Sequence, residues 1–247
     1  MSEINKAVVI ATPCGSSFVH STFAASVAAM TAALASNRIG VRVLFAQGWE
    51  VSTQRDWLAD LFLKESKATH LLFIDSDISF NPDLCSRLLA FNKEVIGAAY
   101  AMRRLDLSKL RDGVTAGKSF ERAWLDAHRF ACAKPLLQDG PLIEVEQTGL
   151  GFTLIARSAF EKMTAQCDLR RYYNRQADTQ TSGRPLLGFF DRIDLPDGQR
   201  LGEDYAFCER WRKIGGQVWV DATADIKHHG DFAIGVPLMA ALRKDKK

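Results

Sequence analysis

Several common protein signatures are missing from this 247-residue sequence. It has no C-x-x-C pair, and its five cysteines are odd in number and widely spread, so nothing indicates a zinc or redox site. The most apolar stretch, Ser21 to Ser36, is mostly alanine and shorter than the roughly 20 residues that span a bilayer, which predicts a buried helix. The N-terminus lacks the basic and apolar segments of a signal peptide. We therefore expect a cytoplasmic protein with no transmembrane segment.

The motifs of four large enzyme classes are also absent. There is no G-x-G-x-x-G, Walker loop, H-E-x-x-H or G-x-S-x-G, which removes the obvious dehydrogenase, nucleoside triphosphatase, zinc protease and serine hydrolase interpretations. The chain also lacks a large excess of charge of one sign. Its net charge of +3 does not by itself indicate a nucleic-acid partner. Two local clusters are either solvated loop charges or contacts to a phosphate-bearing substrate: Arg103, Arg104, Lys109, Arg111 and Lys118, and Arg170, Arg171, Arg175 and Arg184.

The overall composition is that of an ordinary globular protein. Hydrophobic residues make up 47% of the chain and charged residues 25%, which excludes disordered, fibrous and membrane-spanning classes. The length suits one sizeable α/β core and demands no second domain. We expect a single domain over residues 1–240, followed by a disordered basic tail at 241–247.

Short apolar runs alternate with helical patterns along the first hundred residues. This alternation predicts an α/β fold with an open, mostly parallel central sheet and helices on both faces. Ligands of such sheets gather at the carboxyl ends of the strands. Two segments depart from the pattern, are expected to be loop-rich and are candidates for an acceptor site: 102–138 and 168–199. The predicted strands are Ala7–Ile10, Val41–Phe45, His70–Ile74, Val95–Tyr100, Gly151–Ile155 and Gln217–Val220, and the predicted helices include Thr53–Lys64, Pro82–Phe91, Ser158–Met163 and Asp204–Lys213.

The strongest local signal is a pair of aspartates, Asp75 and Asp77, directly after the apolar strand His70–Ile74. Two carboxylates this close repel each other by about 1 kcal/mol at 4 Å in water. A bound Mg²⁺ or Mn²⁺ would remove that repulsion and could bridge to a diphosphate. The alternative role, capping the next helix, is largely filled by Asn81, Pro82 and Asp83. The pair therefore predicts a metal site.

A second acidic pair, Glu203 and Asp204, opens the last predicted helix. Acids are favoured in a first helical turn by the backbone dipole, which is the structural interpretation. The functional interpretation is that Asp204 projects into a cleft and takes a proton from an acceptor hydroxyl. The tandem His228 and His229, beside Gly230, could supply a metal ligand, and imidazole would favour Mn²⁺ over Mg²⁺.

Weaker signals lie near other predicted strand ends. Gly149 and Gly151 either form an ordinary turn or let the backbone approach a sugar closely. Thr12 and Pro13 follow the first strand and are candidates for nucleotide contact. Arg55 is a candidate ionic partner of phosphate. Each of these three has an alternative in turn formation or surface charge.

Taken in order, these segments resemble the GT-A class of nucleotide-sugar glycosyltransferases, particularly small bacterial, phage and viral members related to family 2. Most of the chain is covered in the expected order. One departure concerns Arg55, because relatives often carry Ala-Arg-Asn where this chain has Gln54-Arg55-Asp56. The matching segments are Val8–Pro13, Thr69–Ile78 with its D-x-D motif, Gly149–Arg157, Glu203–Trp211 and the closing His228.

The resemblance implies a nucleotide-binding half at about 1–101 and an acceptor half at about 102–240. It implies that Thr12, Pro13, Asp75 and Ser76 hold a nucleoside-diphosphate sugar, and that Asp77 and His228 bind Mn²⁺ or Mg²⁺ beside them. With Glu203 next to it, Asp204 would be the base of an inverting displacement. A retaining outcome would use the same metal site.

Two alternatives remain at this level. One is a sugar-nucleotide nucleotidyltransferase, although the segment after the first strand lacks the basic loop expected there. The other is a non-catalytic module that binds sugar nucleotides or glycans. The acceptor stays open among a glycan, a lipid-linked sugar and modified nucleic acid, and so do the donor and the oligomeric state.

Overall fold

A computed structural model describes residues 6–174 and 184–230. The strands are β1 (Ala7–Cys14), β2 (Gly40–Gln47), β3 (His70–Ile74), β4 (Ile78–Phe80), β5 (Val95–Ala98), β6 (Ala101–Leu105), β7 (His128–Phe130), β8 (Cys132–Asp139), β9 (Leu142–Thr148), β10 (Phe152–Ala156), β11 (Arg171–Tyr172), β12 (Leu186–Leu187), β13 (Ile193–Asp194), β14 (Arg200–Leu201), β15 (Val218–Asp221) and β16 (Ile226–His228). The helices are α1 (Ser21–Ser36), α2 (Val51–Lys64), α3 (Leu84–Ala90), α4 (Leu107–Thr115), α5 (Phe120–Asp126), α6 (Arg157–Gln166) and α7 (Glu203–Lys213).

Eight strands form one central sheet in the order β2-β1-β3-β10-β5-β15-β9-β8. The parallel and antiparallel pairings give six strands of one direction, with only β9 and β10 reversed. Residues 1–101 and 102–240 both contribute strands to this sheet. The predicted α/β class with a mostly parallel sheet is confirmed.

The central strands of the sheet are buried on both faces. Successive side chains of a strand point to opposite sides, so each of these strands contributes to two cores. In β1, Val8 and Ile10 pack on the side of α1 and α3. Val9 and Ala11 pack on the side of α2, α6 and α7. Helices on both faces explain why β1 and β3 are continuous apolar runs rather than alternating ones.

Two predictions about regular structure need correction. Segment 102–138, expected to be loop-rich, contains β6, α4, α5, β7 and most of β8. Its helices are short and α4 has no buried residue, so the apolar periodicity that identifies a helix in sequence is weak there. The predicted helix Ser21–Ser36 has the predicted bounds, but only Phe23, Val27, Met30 and Leu34 are buried. Alanines on its solvent side conceal that one-sided pattern in the sequence.

The second predicted loop-rich segment, 168–199, is confirmed within the described residues, where it holds only two-residue strands. Arg175 and the predicted basic tail at 241–247 lie outside the described residues. Within residues 6–174 and 184–230, none of the helices combines the length and the apolar character needed to cross a membrane.

Candidate functional site

A cleft of about 360 Å³ opens at the carboxyl ends of β1, β2 and β3. Asp75, Ser76 and Asp77 lie in the turn between β3 and β4, which the Ile78 N–H closes by donating to the Asp75 carbonyl oxygen at 3.2 Å. This is the edge where an α/β sheet places its ligands. The cleft is lined by Pro13, Cys14, Gly15, Trp49, Val51, Gln54, Arg55, Asp75, Ser76, Asp77, Arg103, Glu203 and His228.

Arg55 lies at the base of this cleft and holds two of its acids. Its Nη2 donates to Asp75 Oδ1 at 2.9 Å, and its Nε lies 3.6 Å from Glu203 Oε1. Burial lowers the pKa of the guanidinium, but Asp75 and Glu203 raise it more, so Arg55 stays charged. Among the described residues, its Nε and Nη1 atoms have no hydrogen-bond partner. A buried cation with unpaired donors fits an anionic ligand.

Asp77 faces a different set of partners across the cleft. His228 Nε2 lies 3.5 Å from Asp77 Oδ1, and Arg103 Nη1 lies 3.0 Å from Oδ2. Burial raises the pKa of the Asp77 carboxyl, but His228 and Arg103 lower it more, so the pKa falls below its usual value. The pairing of β16 with β4 brings His228 here from the far end of the chain.

The geometry distinguishes the two tandem histidines. His229 Nε2 lies 2.7 Å from Ser79 Oγ and 3.0 Å from Thr22 Oγ1. Its ring stacks on His20 with the ring centroids 4.2 Å apart. The His229 side chain therefore packs between α1 and β4, and only the His229 backbone N–H reaches Asp77, donating to its carbonyl oxygen at 2.8 Å. Of the two histidines, only His228 has its side chain near the Asp77 carboxylate.

The donor set of Asp77 and His228 fits a divalent cation. His228 Nδ1 lies 3.3 Å from the Ala101 carbonyl oxygen, and a protonated Nδ1 leaves the Nε2 lone pair toward Asp77. In that tautomer the imidazole lone pair and the carboxylate are both available as ligands for a divalent cation. Residues 6–174 and 184–230 hold no group of three or more His, Cys, Asp or Glu side chains suited to a metal. A cation held by Asp77 and His228 would take further oxygen ligands, such as water or a bound molecule.

The acidic pair of α7 divides between cleft and interior. Glu203 lines the cleft, whereas Asp204 is half-buried behind it and its Oδ1 accepts the Tyr205 N–H at 2.8 Å. Burial and then the charge of Glu203 raise the pKa of Asp204 to about 6. A carboxylate with such a pKa can accept a proton near neutral pH.

Three predicted ligand contacts fall elsewhere in the structure. Thr12 is completely buried in β1 and does not line the cleft, while Pro13 beside it does. A Cβ on Gly149 or Gly151 would lie 2.5 Å from the Tyr100 hydroxyl, so these glycines make room for Tyr100, and neither lines the cleft. Tyr100 in turn accepts the Gly151 N–H at 3.2 Å, which fixes the start of β10 beside the Asp75 turn.

Several cleft residues were not identified individually from the sequence, among them Gln54, Trp49 and Arg103. Gln54 accepts the Cys14 N–H at 2.8 Å and donates to the Trp49 carbonyl oxygen at 2.6 Å, which ties the ends of β1 and β2 together. Trp49 follows β2 at the strand end where ligands are expected, and that position was the available signal. Arg103 was noticed only as one member of a basic cluster, since no local pattern shows that it reaches Asp77.

Comparisons with known proteins give likenesses of overall structure only. No protein-family model and no curated protein matches the sequence. The chain is similar to the viral protein A197 from STIV, with 16% identity, a TM-score of 0.47, and coverage of 92% of this chain and 86% of that one. It is also similar to a mutant Drosophila beta-1,4-galactosyltransferase 7 crystallised with manganese, UDP-Gal and xylobiose, with 12% identity, a TM-score of 0.46, and coverage of 98% and 82%. Neither likeness assigns a role to a residue of this chain.

Proposed function

We propose that the protein is a metal-dependent glycosyltransferase of the GT-A class that moves a sugar from a nucleoside-diphosphate donor to an acceptor hydroxyl. The observation that carries the proposal is the cleft itself. A buried Arg55 with unpaired donors, the ionised Asp77 with His228, and Glu203 of α7 surround one opening at the strand ends. Asp204 follows Glu203 directly in α7. A carboxylate and imidazole that could bind a metal ion, next to a buried arginine that could bind an anion, suit a metal-bound diphosphate.

Asp77 and His228 would hold Mn²⁺ or Mg²⁺, and diphosphate oxygens would complete the ligand set. Such a cation supplies charge neutralisation for the departing diphosphate. Arg55 and Arg103 add positive charge at the same place, because both line the cleft. Asp75, held by Arg55, and Ser76 would face the nucleotide.

Asp204 would act as the base. It accepts the acceptor hydroxyl proton while the acceptor oxygen forms a bond to the anomeric carbon. The bond from that carbon to the diphosphate oxygen breaks, and its electron pair leaves with the nucleoside diphosphate. Direct attack from the opposite face inverts the anomeric centre. Glu203 stays paired with Arg55 and keeps that cation in position.

A thermal-shift screen of UDP, GDP, CDP and TDP, with and without Mn²⁺, tests the binding half of this proposal. A nucleotide at about 100 times its dissociation constant should raise the melting temperature by about 5 to 10 °C when Mn²⁺ is present. The change His228→Asn should remove the metal-dependent part of the shift. The matched change His229→Asn should leave it, because that ring faces Ser79 and Thr22.

Hydrolysis of UDP- and GDP-sugars tests the chemical half. We expect slow donor hydrolysis that requires Mn²⁺ in the wild-type protein. If no nucleotide produces a metal-dependent shift, the proposed site is wrong. If a nucleotide binds but no donor is ever turned over, the protein is a binding module instead.

A further inference from the structure

A second cavity, of about 400 Å³, lies on the α7 side of the sheet at its β8 edge. It is walled by Phe130, Cys132, Pro135, Ile143, Val145 and Val220, together with three alanines. None of these side chains carries a charge, a hydroxyl or an amide, and the only heteroatom among them is the Cys132 sulfur. The cavity is therefore chemically the opposite of the charged cleft.

An irregular edge strand forms the outer wall of this cavity. Lys134 in β8 has a positive φ of 54°, which is uncommon for a residue with a side chain. The next residue, Pro135, has no N–H to donate, and the pairing of β8 with β9 shifts register between Pro135 and Leu137. A bulge of this kind bends a strand and re-aims its side chains, here around an apolar space.

The apolar cavity and the charged cleft are joined by a short stretch of chain. Ala99 lines the cavity and Arg103 lines the cleft, and both belong to residues 99–103. Ala101, between them, pairs with Phe130 of the cavity wall, and its carbonyl oxygen lies 3.3 Å from His228 Nδ1. A molecule whose polar end lies beside His228 therefore has the cavity within its reach.

The first turns of α7 connect the same two places. Cys208 Sγ donates to the Thr148 carbonyl oxygen at 3.7 Å, and Thr148 pairs with Cys132 of the cavity wall. Helix α7 therefore runs from Glu203 in the charged cleft to Cys208 beside the β8–β9 pair that walls the apolar cavity. Asp204 directly follows Glu203 on this helix.

Large apolar side chains are exposed around the cavity. Phe130, Leu136 and Leu137 are 49%, 50% and 55% exposed. Exposed apolar residues on an edge strand promote unwanted pairing, and bulges and lysines counter it. Leu136 and Leu137 nevertheless follow directly on the cavity wall, so they extend its apolar character to the surface.

We propose that this cavity binds the apolar chain of the acceptor, so that the acceptor is an alkyl or other lipid-like glycoside or alcohol. The proposal rests on the proposed glycosyltransferase function and selects its substrate class. A saccharide or nucleic-acid strand in the cavity would lose hydration of its polar groups without finding partners on the lining side chains. An alkyl chain has no polar groups to dehydrate, and its transfer from water into the apolar cavity is favourable.

Binding of two glucosides that differ only in their apolar part tests the cavity without nucleotide or metal. We expect n-octyl β-D-glucoside, below its micelle concentration, to raise the melting temperature, and methyl β-D-glucoside at the same concentration to leave it unchanged. The changes Ala133→Phe and Ala222→Phe, tested separately, each fill the cavity and should weaken octyl glucoside binding at least tenfold. Ala35→Phe adds the same ring to an exposed position of α1, on the other face of the sheet, and should have no effect.

Equal shifts with the two glucosides, or undiminished binding in both filled variants that fold, would overturn the proposal. A failure of the proposed glycosyltransferase function can be distinguished from a failure of the cavity proposal, because the Mn²⁺-dependent nucleotide shift in melting temperature does not involve the cavity. If that shift is absent while octyl glucoside still binds in the cavity, the function fails and the apolar site stands. Co-sedimentation with phosphatidylglycerol vesicles then shows whether the bound alkyl chain belongs to a membrane lipid or to a dispersed molecule. If the protein sediments with the vesicles and Leu137→Ser abolishes this, the alkyl chain belongs to a membrane lipid. If octyl glucoside binds but the protein does not sediment with the vesicles, the ligand is a dispersed molecule.

Discussion

The acidic pair at the start of α7 shows how surroundings separate two adjacent carboxylates. Glu203 lies 3.6 Å from the Arg55 guanidinium. Asp204 has no ion-pair partner within the described residues, and burial followed by the charge of Glu203 raises its pKa to about 6. A paired acid is a poor base, whereas a desolvated acid with a raised pKa is a good one. Their environments therefore favour Asp204 as the base over Glu203.

This difference predicts the pH dependence of the proposed sugar transfer. The base must be ionised, so kcat/KM should fall about tenfold per pH unit below an apparent pKa near 6. Asp204→Asn should lower the rate by about 10²- to 10⁴-fold and remove that limb of the profile. Steady-state rates between pH 4.5 and 8 measure both effects. Glu203→Gln is the control and should retain the acidic limb; a limb that persists in Asp204→Asn would assign the base elsewhere.

Asp56 is a buried acid that the sequence did not single out for a role. Its two oxygens accept hydrogen bonds from the Tyr172 hydroxyl at 2.8 Å and the Phe190 N–H at 3.0 Å. Burial raises its pKa to about 8 despite these bonds, which lower it. Asp56 thus ties α2 to two points of the irregular segment 168–199.

The raised pKa of Asp56 predicts a loss of stability as pH rises. The folded state holds this proton between the unfolded pKa, near 4, and about 8, so the free energy of unfolding falls across that window. The slope from this group is at most about 1.4 kcal/mol per pH unit. Asp56→Asn mimics the neutral acid and should flatten the dependence. Urea unfolding at pH 5 and pH 8.5 measures the difference between the two proteins, and equal slopes would show that Asp56 is ionised when folded.

At the level of elements, Arg157 joins the start of α6 to the end of α2. Its guanidinium donates to four carbonyl oxygens, those of Phe62, Leu63, Glu65 and Ala68, at 2.6 to 3.3 Å. The last carbonyl groups of a helix have no partner within the helix, and a cation there also complements the helix dipole. Arg157 is therefore the C-terminal cap of α2, the helix that carries Arg55 and Asp56.

Removing this cap should strongly destabilise the folded protein. Arg157→Ala leaves several half-buried carbonyl groups without a charged donor and should lower the free energy of unfolding by about 3 kcal/mol. The control on the same helix is Lys162→Ala, whose half-exposed ion pair with Glu94 contributes at most about 1 kcal/mol. Chemical denaturation of both variants provides the measurement. Equal losses for the two changes would contradict the capping role.

At the level of the whole molecule, an aromatic cluster joins α2, α6 and α7 on one face of the sheet. The Phe160 ring centroid lies 5.1 to 6.5 Å from those of Phe62, Phe189, Phe190 and Phe207. Because Phe207 belongs to α7, this cluster also supports the helix that carries Asp204. The opposite face has its own core, which includes Met30.

Truncation on each face tests whether the chain unfolds as one domain. Phe160→Ala should lower the free energy of unfolding by about 3 to 5 kcal/mol, and Met30→Ala by about 2 to 5 kcal/mol. Since six strands of one sheet, β1, β3, β5, β9, β10 and β15, contribute residues to both cores, each change should shift the whole transition without splitting it. Circular dichroism and tryptophan fluorescence followed in urea should then coincide. Two separate transitions would contradict the single-domain prediction.

Local patterns predicted most of the regular elements but not the segment 102–138. The bounds of β3 and α1 are those predicted, because a buried apolar run and a long alanine-rich helix are visible over short stretches of sequence. The predicted cap at Asn81 is wrong by position, because α3 begins at Leu84 and its N-cap residue is Asp83, which makes no side-chain capping bond. The Asn81 side chain instead accepts the Asp83 N–H at 2.9 Å in a turn before the helix. The short, exposed elements α4, α5 and β7 leave no such trace, because half-exposed side chains place little constraint on residue type.

The sequence by itself determined the α/β class, the order of the strands along the chain and the placement of Asp75 and Asp77 at a strand end. These follow from local periodicity and from the rule that strand ends collect ligands. Only the tertiary structure decided that Arg55 pairs with Asp75 and that the side chain of His228, not that of His229, lies beside the Asp77 carboxylate. It also decided that Gly149 and Gly151 accommodate Tyr100. Such contacts join residues far apart in the chain, and they depend on strand register and burial, which no short segment encodes.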